Sequence, residues 1–282
     1  MEFELLASGY EIIEGPRVDA NNRLYFSDAG DNGGVYRRNP DGAIETLIAG
    51  RDRVGGIALN AAGGLVVTGR GLILWDEAAG RSRDLFTHWE GKKINVFNDL
   101  TTDSRGSIIT GSIEYDAIRG EAPVPGALYR VDPPGVGRLL WEGVQVSNGL
   151  GFSPDGKLLY LADTATQAIW AFDVTSDRQL KDRRMFAKLP AGLPDGLAVD
   201  VEGGVWAAAV LGRELVRFKS DGTIDRRIPI PARNVTSVVF GGADLQDLYV
   251  VTCFDQDNAS EKGSVFRTRS DTPGLPVPNA RF

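Results

Sequence analysis

The chain has 282 residues, 42% of them apolar, with one cysteine, one histidine and a net charge of −7. That is enough apolar material for one large core, and the balance is too acidic for a partner held by its phosphate backbone. No run of about 18 apolar residues is present to cross a membrane, so neither nucleic acid nor a membrane is expected as a partner.

The N-terminal stretch MEFELLASGYEII has no basic region and no long apolar core, so no secretory leader is read there. From Glu14 the chain reads EGPRVDANNRLYFSD: a polar start, a short strand, a turn, then a second and more apolar strand. The same unit returns as GGIALNAAGGLVVTG from Gly55 and as NDLTTDSRGSIITGS from Asn98. It follows again as NGLGFSPDGKLLYLAD from Asn148, DGLAVDVEGGVWAAA from Asp195 and TSVVFGGADLQDLYVVT from Thr236. Successive starts are 41 to 50 residues apart, the period of four-stranded propeller blades. A third strand follows each unit (GGVYRRN, LILWDE, GALYRVD, AIWAFDV, ELVRFKS, SVFRTRS), and most add a fourth such as IETLIAG or RLLWEG. Few segments show a 3.6-residue period, so helices should be scarce.

The pattern predicts an all-β, six-bladed β-propeller occupying residues 1–282 as a single domain. A pair of β-sandwich domains is the competing reading. The sixth unit ends soon after SVFRTRS, so the N-terminal strand is expected to supply the outer strand of the last blade and close the ring.

Two residue types bound the chemistry. Cys253 stands alone, so no intramolecular disulfide or cysteine zinc cluster can form, and a reducing, cytoplasmic location is expected. His88, in FTHWEG, is the only histidine, so zinc sites of two or three histidines are excluded. Its neighbours Phe86, Thr87 and Trp89 form no motif, and it reads as a packed or surface residue.

In a propeller the innermost strands surround one channel, so the residues that begin them converge. Around the ring that position reads Glu14, Gly55, Asn98, Asn148, Asp195 and Thr236. Each could be an ordinary turn residue, Asn148-Gly149 above all. Turns would not, however, select acids and amides at one topological position. Two carboxylates and two carboxamides on one axis make a cage for a hard divalent cation, Ca2+ first, with Mg2+, Mn2+ or Zn2+ as alternatives.

The segments EGPRVD, FNDLTTDSRGSIITG, VSNGLGFSPDGKLLYLADT, PDGLAVDVEGGVWAA and TSVVFGG with LYVVT carry a resemblance. Together they are similar to the SMP-30/gluconolactonase/luciferin-regenerating-enzyme family across nearly the whole chain. The resemblance implies a six-bladed propeller with one divalent ion in its channel, held by Glu14, Asn148 and Asp195. It places Asn98 beside the ion, where it holds water or substrate, and makes Asp195 the general base. Animal members carry an arginine where this chain has Val96, and GKKINVFND with Asn95 is closer to the bacterial form. Asp116, with Glu114 competing for the role, falls where the family can place a second sugar-binding acid.

The function expected is therefore metal-dependent opening of a lactone, a small-molecule substrate, with Asp195 activating water. A phosphotriesterase-like hydrolase on the same site and a non-catalytic calcium-binding propeller are the alternatives. Val96 and Phe97 predict a less polar pocket wall, and with it broad acceptance of aliphatic and aromatic lactones.

Overall fold

The second strand of each repeat is an apolar run bounded by turn residues, and it becomes an inner, buried strand of a four-stranded antiparallel sheet. The computed structural model describes residues 2–115 and 121–282. It is an all-β six-bladed propeller in which each sheet runs outward from the axis. The first blade takes Ile13–Val18, Leu24–Asp28, Gly34–Arg38 and Ile44–Ala49 in that order. The innermost strands of the next five are Ile57–Leu59, Val96–Thr102, Ser147–Phe152, Leu193–Val199 and Asn234–Gly241. Each innermost strand contacts the next, and the sixth contacts the first, so they form a closed ring. The sixth sheet is completed on its outside by the N-terminal strand Glu4–Tyr10, antiparallel to Gly263–Arg269.

The core follows from this arrangement. Six apolar layers lie between neighbouring blades, as where Trp206 and Ile228 of the fifth meet Val238, Phe240 and Phe266 of the sixth. The turns that join first to second strands are fixed by acids. Asp19 accepts the amides of Asn21 and Arg23, Asp103 those of Arg105 and Ser107, and Asp200 those of Glu202 and Gly204. Among the described residues the only helical element is one 3-10 turn, Thr164–Thr166. His88 is exposed on a two-stranded hairpin, His88–Trp89 with Lys92–Lys93.

The C-terminal segment runs across one face of the ring. Leu275 donates to Val199 O at 2.8 Å, Ala280 to Leu59 O at 2.8 Å, and Arg281 to Gly106 O at 3.1 Å. Phe282 N donates to Asn60 Oδ1 at 2.9 Å. This tail borders a cavity of about 1210 Å3 at the C-terminal ends of the innermost strands.

Candidate functional site

Five of the six innermost strands break register, and each break falls on the position read from the repeats. The shifts lie between Glu14 and Arg17, Phe97 and Leu100, Ser147 and Leu150, Pro194 and Leu197, and Val235 and Ser237. A bulge releases a residue from the ladder and re-aims its side chain. Asn98, Asn148, Asp195 and Thr236 are among the residues so released, while Glu14 is the last paired residue before its bulge, opposite Ser27. Hydroxyls of the second strands take up some of the carbonyls freed there: Ser27 Oγ donates to Glu14 O at 3.1 Å, and Thr110 Oγ1 to Asp99 O at 2.9 Å.

The two carboxamides are tied to each other. Asn98 Nδ2 donates to Ser147 O at 2.8 Å and to Asn148 Oδ1 at 3.1 Å. Asn148 Nδ2 donates to Thr164 Oγ1 at 3.1 Å, and that hydroxyl donates to Pro194 O at 2.7 Å. One chain of hydrogen bonds thus links blades three, four and five and ends beside Asp195. The two remaining ring positions are not donors to the site. Thr236 spends its hydroxyl on Ile13 O at 2.6 Å, and Gly55 is glycine because a methyl there would overlap Asn98 Oδ1.

The acids disturb one another. Burial holds Glu14 far above the ordinary carboxylate range, and the charges of Asp195 and Asp99 add to the effect. Asp195 is raised for the same reasons, burial first and then Asp99. Asp195 Oδ1 is buried and has no hydrogen-bond partner among the described residues. Asp99 is pushed up to about 6 by burial, against the pull of Arg17 and of the Leu100 amide. Cys253 borders the group, since burial and the charges of Asp195 and Glu14 lift its thiol to about 12.

Asp99 and Arg17 were not singled out from the sequence, although both lie inside quoted motifs. An arginine near the end of an innermost strand was the available signal. Arg17 donates to Pro16 O at 2.7 Å and to Leu100 O at 2.8 Å, passing the glycines of blade two to reach blade three. Burial lowers its pKa and Asp99 opposes that. Three acids face one guanidinium, so with all of them ionised the axis would carry an excess of two negative charges, and this excess favours their protonated forms unless a cation is present.

A divalent cation fits this donor set. Among the described residues no group of three or more His, Cys, Asp or Glu is arranged to hold a metal. Glu14 and Asp195 would need carboxamide oxygen to complete the shell, which favours a hard ion over a soft one. The orphaned Asp195 Oδ1 and the mutual repulsion of the acids are both relieved by a cation.

At the rim of the same end, Asn95 N donates to Glu114 Oε2 at 3.3 Å, so these two sequence candidates come together. Asp116 lies outside the described residues. The predicted apolar wall is corrected at one of its two residues: Phe97 is wholly buried and packs between Phe86 and Tyr129, because its side chain faces the layer between blades two and three, while Val96 is half-buried. The large cavity at the other end touches none of Glu14, Asn98, Asn148 and Asp195. Leu150, Leu197, Val238 and Phe240 are among its lining residues, and acids on its wall such as Asp19 and Asp103 are paired with Arg23 and Arg178.

The family model described as "SMP-30/Gluconolactonase/LRE-like region" matches residues 12–254. The chain belongs to this family. It is 32% identical over 266 residues to a 6-deoxy-6-sulfogluconolactonase of Pseudomonas putida, covering 90% of this chain and 89% of that one. It is 28% identical over 271 residues to the pentonolactonase XacC of Haloferax volcanii, with 90% and 89% covered. A solved luciferin-regenerating enzyme superposes with a TM-score of 0.89 at 24% identity over 100% of this chain and 99% of that one, which shows a common fold.

Proposed function

We propose that this protein hydrolyses a lactone with the help of a divalent cation held by Glu14, Asn148 and Asp195, with Asn98 beside it. The observation that carries the reading is the meeting of buried, mutually repelling carboxylates at one end of the channel, one of them with an unpartnered oxygen. Two relatives matched over 90% of this chain are named as lactonases, which supports the reaction class. Ca2+ is the ion favoured by the oxygen donors; Mg2+, Mn2+ and Zn2+ are the alternatives.

A bound cation would act as a Lewis acid toward the ring carbonyl and stabilise the charge that develops there. The protein's own residues do the rest. Asp195 accepts a proton from the attacking water as the water oxygen bonds to the carbonyl carbon. Asn98 and Asn148, locked by their mutual hydrogen bond, orient water and carbonyl. The ring C–O bond then breaks, and the departing alkoxide takes up the proton that Asp195 accepted, which gives the open hydroxy acid and returns Asp195 to its carboxylate form. The whole chain acts as one domain in a cytoplasmic setting, and its N-terminal strand serves as the clasp of the ring.

The test uses metal-stripped protein, to which Ca2+, Mg2+, Mn2+ or Zn2+ is returned singly. Acid release from γ- and δ-lactones is followed together with the thermal midpoint. We expect at least one ion both to raise the midpoint and to restore turnover. Stabilisation with no lactone opened would favour a calcium-binding scaffold, and turnover of phosphotriesters alone would favour the other hydrolase.

A further inference from the structure

We propose that Arg70 is the residue that selects the substrate, and that it does so by gripping an anionic group at the end of the lactone remote from its carbonyl. This inference rests on the lactonase reading above and adds the substrate class to it. Arg70 lies between two glycines, Gly69 and Gly71, each with a φ of +116°, a backbone region that glycine adopts freely. The loop they form is fixed from two sides. Gly69 and Phe97 exchange backbone hydrogen bonds at 3.1 and 2.8 Å, which joins blade two to the residue immediately before Asn98. Arg51 donates to Thr68 O at 2.9 Å and to Gly71 O at 2.7 Å, clamping the loop from below.

On this platform the Arg70 side chain extends to the rim and remains 44% exposed. Its Nη1 lies 3.4 Å from Asn95 Oδ1, and its Nε lies 3.3 Å from Asp52 Oδ2. Both contacts are long, and exposed pairs of this kind contribute little, so the guanidinium is readily redirected to a ligand. Asn95 precedes Asn98 by three residues, at most roughly 10 Å of chain, so the guanidinium stands at the edge of the candidate site. Blade two therefore supplies the cation that Val96 of blade three does not. Glu114 and Asp52 are the opposing charges nearby. Glu114 is joined to Asn95 and suits a hydroxyl donor, whereas Asp52 already shares Arg70. A hydroxylated lactone with a carboxylate, sulfonate or phosphate at its far end matches this arrangement, and an aliphatic lactone does not.

The test compares glucono-δ-lactone with the same ring bearing carboxylate, sulfonate or phosphate at its terminal carbon, in the wild type and in Arg70→Met and Arg70→Lys. We expect the wild type to favour one or more anionic forms in kcat/KM by about tenfold or more, as for a hydrogen bond to a charged group. Arg70→Met should remove that preference mainly through KM and leave the neutral lactone within about twofold, while Arg70→Lys should retain part of it. Because screening weakens exposed charges, the preference should shrink as salt rises. Equal loss on neutral and charged rings, or no wild-type preference, overturns the role of Arg70. Calorimetric binding of glucarate against gluconate, in the same variants, decides that role even if no lactone is opened. A lack of turnover with every ion would count against the lactonase reading alone.

Discussion

Asp195 and Glu14 share a burial and a charge environment, yet they should fail differently when changed. Asp195→Asn keeps an oxygen donor but cannot accept a proton from water, so turnover should fall about 10²-fold or more with modest loss of cation affinity. Glu14→Gln removes charge from the cage, so affinity should fall and excess cation should restore much of the rate. Rates measured across a cation titration separate the two; equal rescue would make Asp195 a ligand only. The acid and amide positions were legible in the sequence because the repeat placed them in register, a comparison of one blade with another. Asp99 and Arg17 were not, because nothing in a strand pattern says which buried charges face each other across the channel. Phe97 misled for a related reason: beside a bulge, alternation no longer tells which side chain turns inward.

The innermost strand is the element on which the site is built, and its glycines carry the close approach of neighbouring blades. At Gly149 an added methyl would strike the backbone of Leu197 and Gly196, which cannot move aside without shifting blade five. Gly149→Ala should therefore cost about 1–3 kcal/mol, the penalty of overpacking, and lower the thermal midpoint by several degrees. At Gly55 the methyl meets the carboxamide of Asn98 first, so Gly55→Ala should weaken cation binding more than its loss of stability would account for. Calorimetry of binding and of unfolding on both variants checks the contrast. Element order and blade number were readable from period and turn residues. The bulges were not, since a bulge adds one residue to a strand and leaves its composition unchanged.

For the molecule as a whole, the uncompensated acids at the axis set a pH dependence. A carboxyl raised on folding binds its proton more tightly in the native state, so its protonation stabilises. Asp99, raised to about 6 from an ordinary value near 4, adds stability as pH falls from about 6 to 4; Glu14 and Asp195 extend that window upward. Metal-stripped protein should therefore melt higher at pH 5 than at pH 8. The lowered acids, such as Asp132 and Asp271, lose their contribution only below the ordinary carboxylate range and do not mask the trend. A cation needs the ionised forms, so stabilisation by added ion should be greatest at pH 8 and fade toward pH 5. Scanning calorimetry with chelator and with ion tests both signs.

The C-terminal tail, bonded in turn to Val199, Leu59, Gly106 and Asn60, straps the fifth blade to the second and third across one face of the ring. A strap ties together blades that share no seam, so a fluctuation that parts one pair of sheets is resisted by others. At the opposite end, among the described residues, no such tie lies across the site, and the groups at Arg70 and Asn95 that welcome an anion on arrival also slow the exit of an acidic product.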